Sequence, residues 1–166
     1  MAYINLPNAL LLAIAFYSLT ATANASLSQI TATIKGVVYA DPPCIVNNNS
    51  PIIGSFGDVD VEKIDGNHKT ITLNYSLDCS RAVSNNLRFY ISGKSTEFDR
   101  WALYVPDHKN IGITFKRDGH YHAINTYYSL NPLNPPTLQA VLIKRPDGDI
   151  NGGPFRSSAT LVVEYQ

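Results

Sequence analysis

The sequence predicts an all-β fold, an antiparallel β-sandwich, and three observations carry that prediction. From Thr70 to Cys79, apolar and polar residues alternate without a break: Ile71, Leu73, Tyr75, Leu77 and Cys79 share one parity, Thr70, Thr72, Asn74, Ser76 and Asp78 the other. Period-two alternation is the signature of a half-buried strand. Turn signals then recur along the chain, at Asp65-Gly66-Asn67, Ser84-Asn85-Asn86, Asp118-Gly119, Asn131-Pro132, Pro146-Asp147-Gly148 and Gly152-Gly153-Pro154, as expected for many short strands joined by tight connections. Finally, no stretch keeps a 3.6-residue apolar stripe for three turns, which leaves no amphipathic helix.

Composition narrows the rest. At 166 residues the chain holds one domain or two very small ones. Thirteen Lys and Arg balance thirteen Asp and Glu, with a pI near 6.9, so no field draws the chain to nucleic acid or an anionic membrane. With 45% hydrophobic and 16% charged residues it is too apolar for disorder. Low charge with ten Pro, ten Gly and ten Tyr also excludes a coiled coil.

Taken in order, the first 25 residues read as a secretory signal. Ala9 to Phe16 is an unbroken apolar run, and Ala23-Asn24-Ala25 is a small-x-small cleavage site ahead of Ser26, although Met1 to Asn8 contains no Lys or Arg. A membrane anchor is the rival reading. Crossing hydrocarbon takes about 20 apolar residues, and Asn5, Pro7, Asn8, Ser18 and Thr20 interrupt any such stretch, so cleavage is favoured and no membrane insertion is expected. Next, Ile30, Ala32, Ile34, Gly36 and Val38 alternate with Thr31, Thr33, Lys35, Val37 and Tyr39. Gly36 weakens a strand and marks a close approach of backbones. Leu87, Phe89 and Ile91 repeat the alternation, as do Ile111, Ile113 and Phe115, after which Asp118-Gly119 suits a two-residue hairpin. At the end, Ala159, Leu161, Val163 and Tyr165 alternate with Thr160, Val162, Glu164 and Gln166, so the chain stops inside a strand. An apolar edge strand with no cover invites pairing with another chain. No domain boundary, internal repeat or low-complexity tract interrupts the chain from Ser26 onward.

Export also changes how the cysteines read. Cys44 and Cys79 are the two in the chain, and an even count in an oxidising compartment predicts a disulfide. Two cysteines alone form no structural zinc site. Closing a 35-residue loop constrains the unfolded chain by ~4 kcal/mol in the loop-entropy description.

Other chemistry is sparse. His120-Tyr121-His122 places two imidazoles on one face of a strand, but with no carboxylate or Cys at ligand spacing it reads as a solvated hairpin arm. Asp147-Gly148-Asp149-Ile150-Asn151-Gly152 matches half of an EF-hand loop, yet Ser158 stands where the bidentate Glu belongs. No cofactor is implied. There is no G-x-S-x-G elbow and no recognisable carboxylate pair, so an enzyme is not expected. Trp101, Tyr104, Tyr121, Tyr127 and Tyr128 could stack on sugars, but aromatics in a sandwich are more often core or cross-strand partners.

These residues resemble the pilus subunits assembled by the chaperone–usher pathway, and among them the minor tip-fibrillum subunits of P-type pili. The resemblance spans the chain from the N-terminal alternation, through Asp41-Pro42-Pro43-Cys44, Ile53-Gly54-Ser55-Phe56-Gly57 and the strand closing on Cys79, to the C-terminal run Ile150 to Arg156 and Ser157 to Thr160. A Gly at the fourteenth position from the end and a penultimate Tyr mark that family, and Gly153 and Tyr165 stand there.

The resemblance implies an incomplete immunoglobulin-like sandwich that lacks its final strand: a signal peptide at 1–25, an N-terminal donor-strand extension at 26–39 and a pilin domain at 40–166. Ile30, Ala32, Ile34, Gly36 and Val38 would enter a neighbour's groove. Gly153, Ala159, Leu161, Val163, Tyr165 and Gln166 would border this chain's own groove and meet the periplasmic chaperone and outer-membrane usher. The implied role is a minor structural subunit linking adhesin to shaft in a fimbrium on the bacterial surface, supporting cell adhesion through donor-strand exchange. A single-domain adhesin binding a host glycan and a major rod subunit are the alternatives. Presence of the extension and the lack of room for a lectin domain favour the linker.

Overall fold

Ten short strands answer the alternation and turn signals in the computed structural model, which describes residues 35–36 and 42–166. They are β1 (Ile45–Val46), β2 (Ile71–Leu73), β3 (Leu77–Asp78), β4 (Leu87–Ser92), β5 (Leu103–Tyr104), β6 (Ile111–Arg117), β7 (His120–His122), β8 (Tyr128–Leu130), β9 (Leu138–Lys144) and β10 (Thr160–Tyr165). The helical elements among the described residues are two three-residue turns. Tyr39–Gln166 groups as one compact unit, and it is the unit described below. The signal peptide, most of the extension and the positions Ile30, Ala32, Ile34 and Val38 lie outside the described residues; Gly36 is described and exposed.

Two antiparallel sheets and a small ribbon make the sandwich. One sheet runs β10-β4-β8 and the other β2-β9-β6-β5, with β7 also pairing β6; β1 pairs β3 separately. Leu87, Phe89 and Ile91 are buried on β4, as their parity predicts, and face the second sheet. Two core clusters result. Ile91, Leu103, Ile113, Phe115, Ala140 and Leu142 belong to the larger; Cys44, Leu87, Phe89, Leu130 and Leu138 form the other. The hairpin at Asp118-Gly119 joins Arg117 to His120 with φ of 50° and 80°, the left-handed pair a two-residue turn requires.

Three features depart from the sequence reading. The alternation holds in burial from Ile71 to Cys79, but β2 joins β9 while β3 joins β1: one alternating run serves two sheets, because parity fixes a face and not a partner. On β6, Gly112 and Thr114 are buried as well as Ile111, Ile113 and Phe115. The segment 96–102 covers its outer face, and a Cβ on Gly112 would lie 2.9 Å from Thr96 and 3.4 Å from Ala102. Lastly, Asn47, Asn48 and Asn49 all take positive φ (46°, 50° and 60°). Asn tolerates that region through short local hydrogen bonds, and the Asn47 side-chain amide donates to the carbonyls of Ser50 and Pro51. The run ends β1 and turns the chain into the extended segment 50–59.

Candidate functional site

That segment and β10 stand opposite each other without joining. On one side β10 pairs with β4 along its whole length, from Thr160 opposite Ser92 to Tyr165 opposite Leu87. On its other side, among the described residues, no strand pairs with it, and no backbone hydrogen bond links 50–59 to 153–166.

Between these two walls the core is open. A cavity of about 480 Å³ lies between Val46, Pro51, Ile52 and Phe56 on one wall and Ser157 to Leu161 on the other, and its floor is Ile71, Leu73, Ile91, Leu103, Ile113 and Phe115. A second cavity of about 770 Å³ adjoins it through the shared residues Gly54, Phe56, Ile113 and Ser157 and continues past Ile64, Leu142, Ile150 and Phe155. Phe56 and Phe155, with ring centroids 6.0 Å apart, bring side chains of the two walls together. Toward the disulfide the gap closes: Tyr75, Leu77, Phe89, Leu130, Leu161 and Val163 leave no room for water. The site is a furrow with an apolar floor and one unpaired β edge. Sites of this build recognise an extended peptide, whose backbone satisfies the edge and whose alternate side chains enter the floor.

Of the predicted site residues, those from Cys44 onward fall in the described part of the chain. Cys44 and Cys79 are bonded to each other, and the register that sets Ile45 opposite Asp78 puts them opposite one another at the head of the β1–β3 ribbon. Leu161, Val163 and Tyr165 pack inward against the core, but only Leu161 reaches the open stretch; beside Val163 the furrow is shut. Ala159 is exposed on the rim. Gly153 lines the larger cavity, close to the His108 ring. Gln166 is exposed, and its N–H donates to the Asn86 carbonyl at 2.9 Å. The opposite wall, 50–59, and the floor residues of β2, β5 and β6 were not named as site residues from the sequence, although Ile53 to Gly57 entered the resemblance and Ile71, Leu73, Ile113 and Phe115 the strand reading. Ile52, Phe56 and Val59 keep no regular period around Gly54 and Gly57, so nothing in their spacing announces a wall.

The solvated arm at His120-Tyr121-His122 needs correcting. His120 and Tyr121 are exposed, but His122 is fully buried, stacked 4.2 Å from the Tyr128 ring and 5.2 Å from Phe89. Neither ring nitrogen has a hydrogen-bond partner. Burial, with a lesser contribution from the Arg117 charge, pushes its pKa down to about 4. Tyr75, half-buried with its hydroxyl donating to the Pro136 carbonyl at 2.6 Å, is pushed up to about 12, chiefly by burial. The aromatics considered for sugar stacking are largely engaged. Arg100 covers Trp101, Lys94 covers Tyr104, Arg88 covers Tyr127, and Tyr128 stacks in the core. Among the described residues no three His, Cys, Asp or Glu gather as metal ligands, and no helix is long and apolar enough to cross a membrane.

Known proteins place this architecture. The chain is 26% identical over 149 residues to an uncharacterized fimbrial-like protein, YfcR, of Escherichia coli K12, covering 87% of this chain and 86% of that one. It is 25% identical over 162 residues to the minor fimbrial protein PrsF of Escherichia coli, covering 90% and 96%. In three dimensions it resembles the P pilus adaptor subunit PapF, with a TM-score of 0.56 at 24% identity, covering 75% of this chain and 97% of that one; that likeness establishes the incomplete immunoglobulin-like sandwich of pilus subunits. Residues 29–166 match the sequence profile described as fimbrial protein, and the chain belongs to that family.

Proposed function

We propose that this fimbrial subunit is a minor, non-catalytic adaptor that polymerises by donor-strand exchange. The unpaired edge of β10 above an open apolar floor is the observation that carries the reading. A periplasmic chaperone first lends a strand to the furrow. At the outer-membrane usher, the N-terminal extension of the next subunit replaces it, and the chain becomes part of a fimbrium at the cell surface. This chain's own residues 26–39, with Ile30, Ala32, Ile34, Gly36 and Val38 on one parity, fill the furrow of its other neighbour. Adhesion is supported by linkage rather than by a glycan site on this chain, in keeping with the cations that cover three of its aromatic faces.

Burying one Ile or Val contributes about 1.5–3 kcal/mol, and a whole domain is stable by about 5–15 kcal/mol, so one missing strand removes much of the margin. The test is expression from Ser26 onward, with and without the chaperone of its own fimbrial system. Alone, the chain aggregates; with the chaperone it is recovered as a complex that a donor peptide converts to a peptide-filled subunit. A soluble monomer with a sharp, reversible melt and no partner would overturn the reading. Within that assay, Gly36→Trp blocks donation by the extension while the chain's own domain stays folded, and removal of Tyr165 and Gln166 lowers chaperone capture.

A further inference from the structure

Three aliphatic side chains among the described residues are more than four-fifths exposed: Ile53 at 82%, Val83 at 89% and Leu133 at 87%. Ile53 belongs to the furrow wall. Val83 and Leu133 share one end of the molecule, and strand register puts them there. Tyr165 lies opposite Leu87, and Leu87 opposite Leu130, so the loop before Leu87, the loop after Leu130 and the end of β10 emerge together. Neighbouring strands are ~5 Å apart, so the two loops rise side by side. The disulfide is at this end as well, since Cys79 opens the first loop and holds Cys44 beside it. The chain therefore passes through Pro42 and Pro43 at this end on its way from residues 26–39 into the domain.

Both tips are pre-set. The Val83 N–H donates to the Tyr165 hydroxyl at 3.1 Å. The Asn131 carboxamide oxygen accepts from the Leu133 N–H at 3.0 Å and the Asn131 carbonyl from the Asn134 N–H at 3.1 Å, with Pro132, Pro135 and Pro136 in the same loop. An apolar side chain already fixed on a turn loses little entropy when it docks.

We propose that Val83 and Leu133 are a docking cap for the body of the fimbrial subunit that takes up residues 26–39. The proposal rests on the strand-donation reading and adds a second contact to it. Four residues, 40–43, separate the extension from Cys44 and span at most ~14 Å; two are Pro, which stiffens the tether. Whatever body holds the extension is therefore held close to this end, at the high local concentration of a short link. Arg81 and Asn134, exposed in the same loops, supply the polar rim of such a contact.

The experiment joins this chain, from Ser26 onward, to the subunit whose furrow takes up a synthetic peptide of residues 26–39. It is compared with that peptide complex and with a Val83→Ser, Leu133→Ser double variant, whose surface changes leave the fold intact. In the wild-type pair, amides of 80–86 and 131–137 become protected from hydrogen exchange relative to the same chain in its chaperone complex. In the double variant that protection is lost, and denaturant separates the pair about tenfold faster. If peptide and chain both insert but the loops gain no protection and the variant behaves as wild type, the cap is overturned while strand donation stands. Protection already present in the chaperone complex and lost on transfer would assign the surface to the chaperone and equally overturn it. If no subunit of the system takes up the peptide, strand donation falls and the cap with it.

Discussion

The two halves of the furrow have the same kinds of side chain and opposite states. Near the disulfide, Leu161 and Val163 close against Tyr75, Leu77 and Phe89 with no space for water. Farther along, Ile91, Leu103 and Ile113 floor a cavity of about 480 Å³, and Ile113 with Ile64, Ile111 and Leu142 one of about 770 Å³. Apolar content does not account for the contrast; what the walls are tied to does. At the closed end β1 pairs β3, the disulfide joins their heads, and the Tyr75 hydroxyl anchors to Pro136. At the open end 50–59 forms no strand and makes no backbone bond to 153–166. A sandwich short of one strand packs shut where β10 faces a ribbon that is itself paired and disulfide-tied, and stays open where it faces an unpaired segment. On the strand-exchange function proposed above, the closed end would serve as a fixed stop and the open end as the place where an incoming strand gains most by entering.

Removing the tie is the strongest way to break this contrast. Cys44→Ser with Cys79→Ser is expected to cost ~4 kcal/mol, read as a lowered denaturation midpoint of the peptide-filled subunit and a fall in chaperone-complex yield. Hydrogen exchange sharpens it: amides of 71–79 and 160–165 should speed up while those of 111–117, in the centre of the larger sheet, should not. An unchanged midpoint would mean packing alone shuts that end.

The same contrast shows what sequence could and could not reveal. The inner faces of β4 and β10 were legible because Leu87, Phe89, Ile91, Leu161 and Val163 obey strict parity, and parity is a local property. The Cys44–Cys79 bond was legible from count and compartment. The open wall was not, because Ile52, Phe56 and Val59 have no period and Phe56 meets Phe155 only through the fold. Nor was the division of Thr70–Cys79 between two sheets, since alternation is blind to partners. His122 was misread for the same reason: a hairpin arm looks solvated until Phe89 and Tyr128 from the opposite sheet close over it.

His122 supplies a second, smaller test, because it packs on Phe89, which lies opposite Val163 of the closed end. Its folded pKa of about 4 lies below the ordinary value of 6.5, so between those values the folded state binds fewer protons than the unfolded one. Stability is therefore intact above pH ~6.5, declines as pH falls, and has lost about 3 kcal/mol once pH drops below ~4. His122→Phe, which keeps the stacking and removes the proton site, should shift the acid unfolding midpoint of the peptide-filled subunit downward. An unaltered acid midpoint would show that the carboxylates, not this imidazole, set the limit.

The smallest effect is expected on the outer face of the same strand pair. Arg88 and Glu164 stand directly opposite each other on β4 and β10, with a guanidinium nitrogen 2.6 Å from the carboxylate and the guanidinium 4.1 Å from the Tyr127 ring centroid. The geometry is good, but both side chains are about one-third exposed, and exposed pairs contribute only about 0.2–1 kcal/mol. A double-mutant cycle with Arg88→Met and Glu164→Gln should give a coupling below ~1 kcal/mol that fades in ~1 M salt, where charges are screened over ~3 Å. Donor-peptide exchange should proceed at the wild-type rate in both single variants, because neither residue lines the furrow. A coupling above ~2 kcal/mol that survived salt would instead mean that β10 is clamped from outside. The closed end would then owe its state to this pair rather than to the disulfide and the packing beneath it, and the difference between the two halves would need another cause.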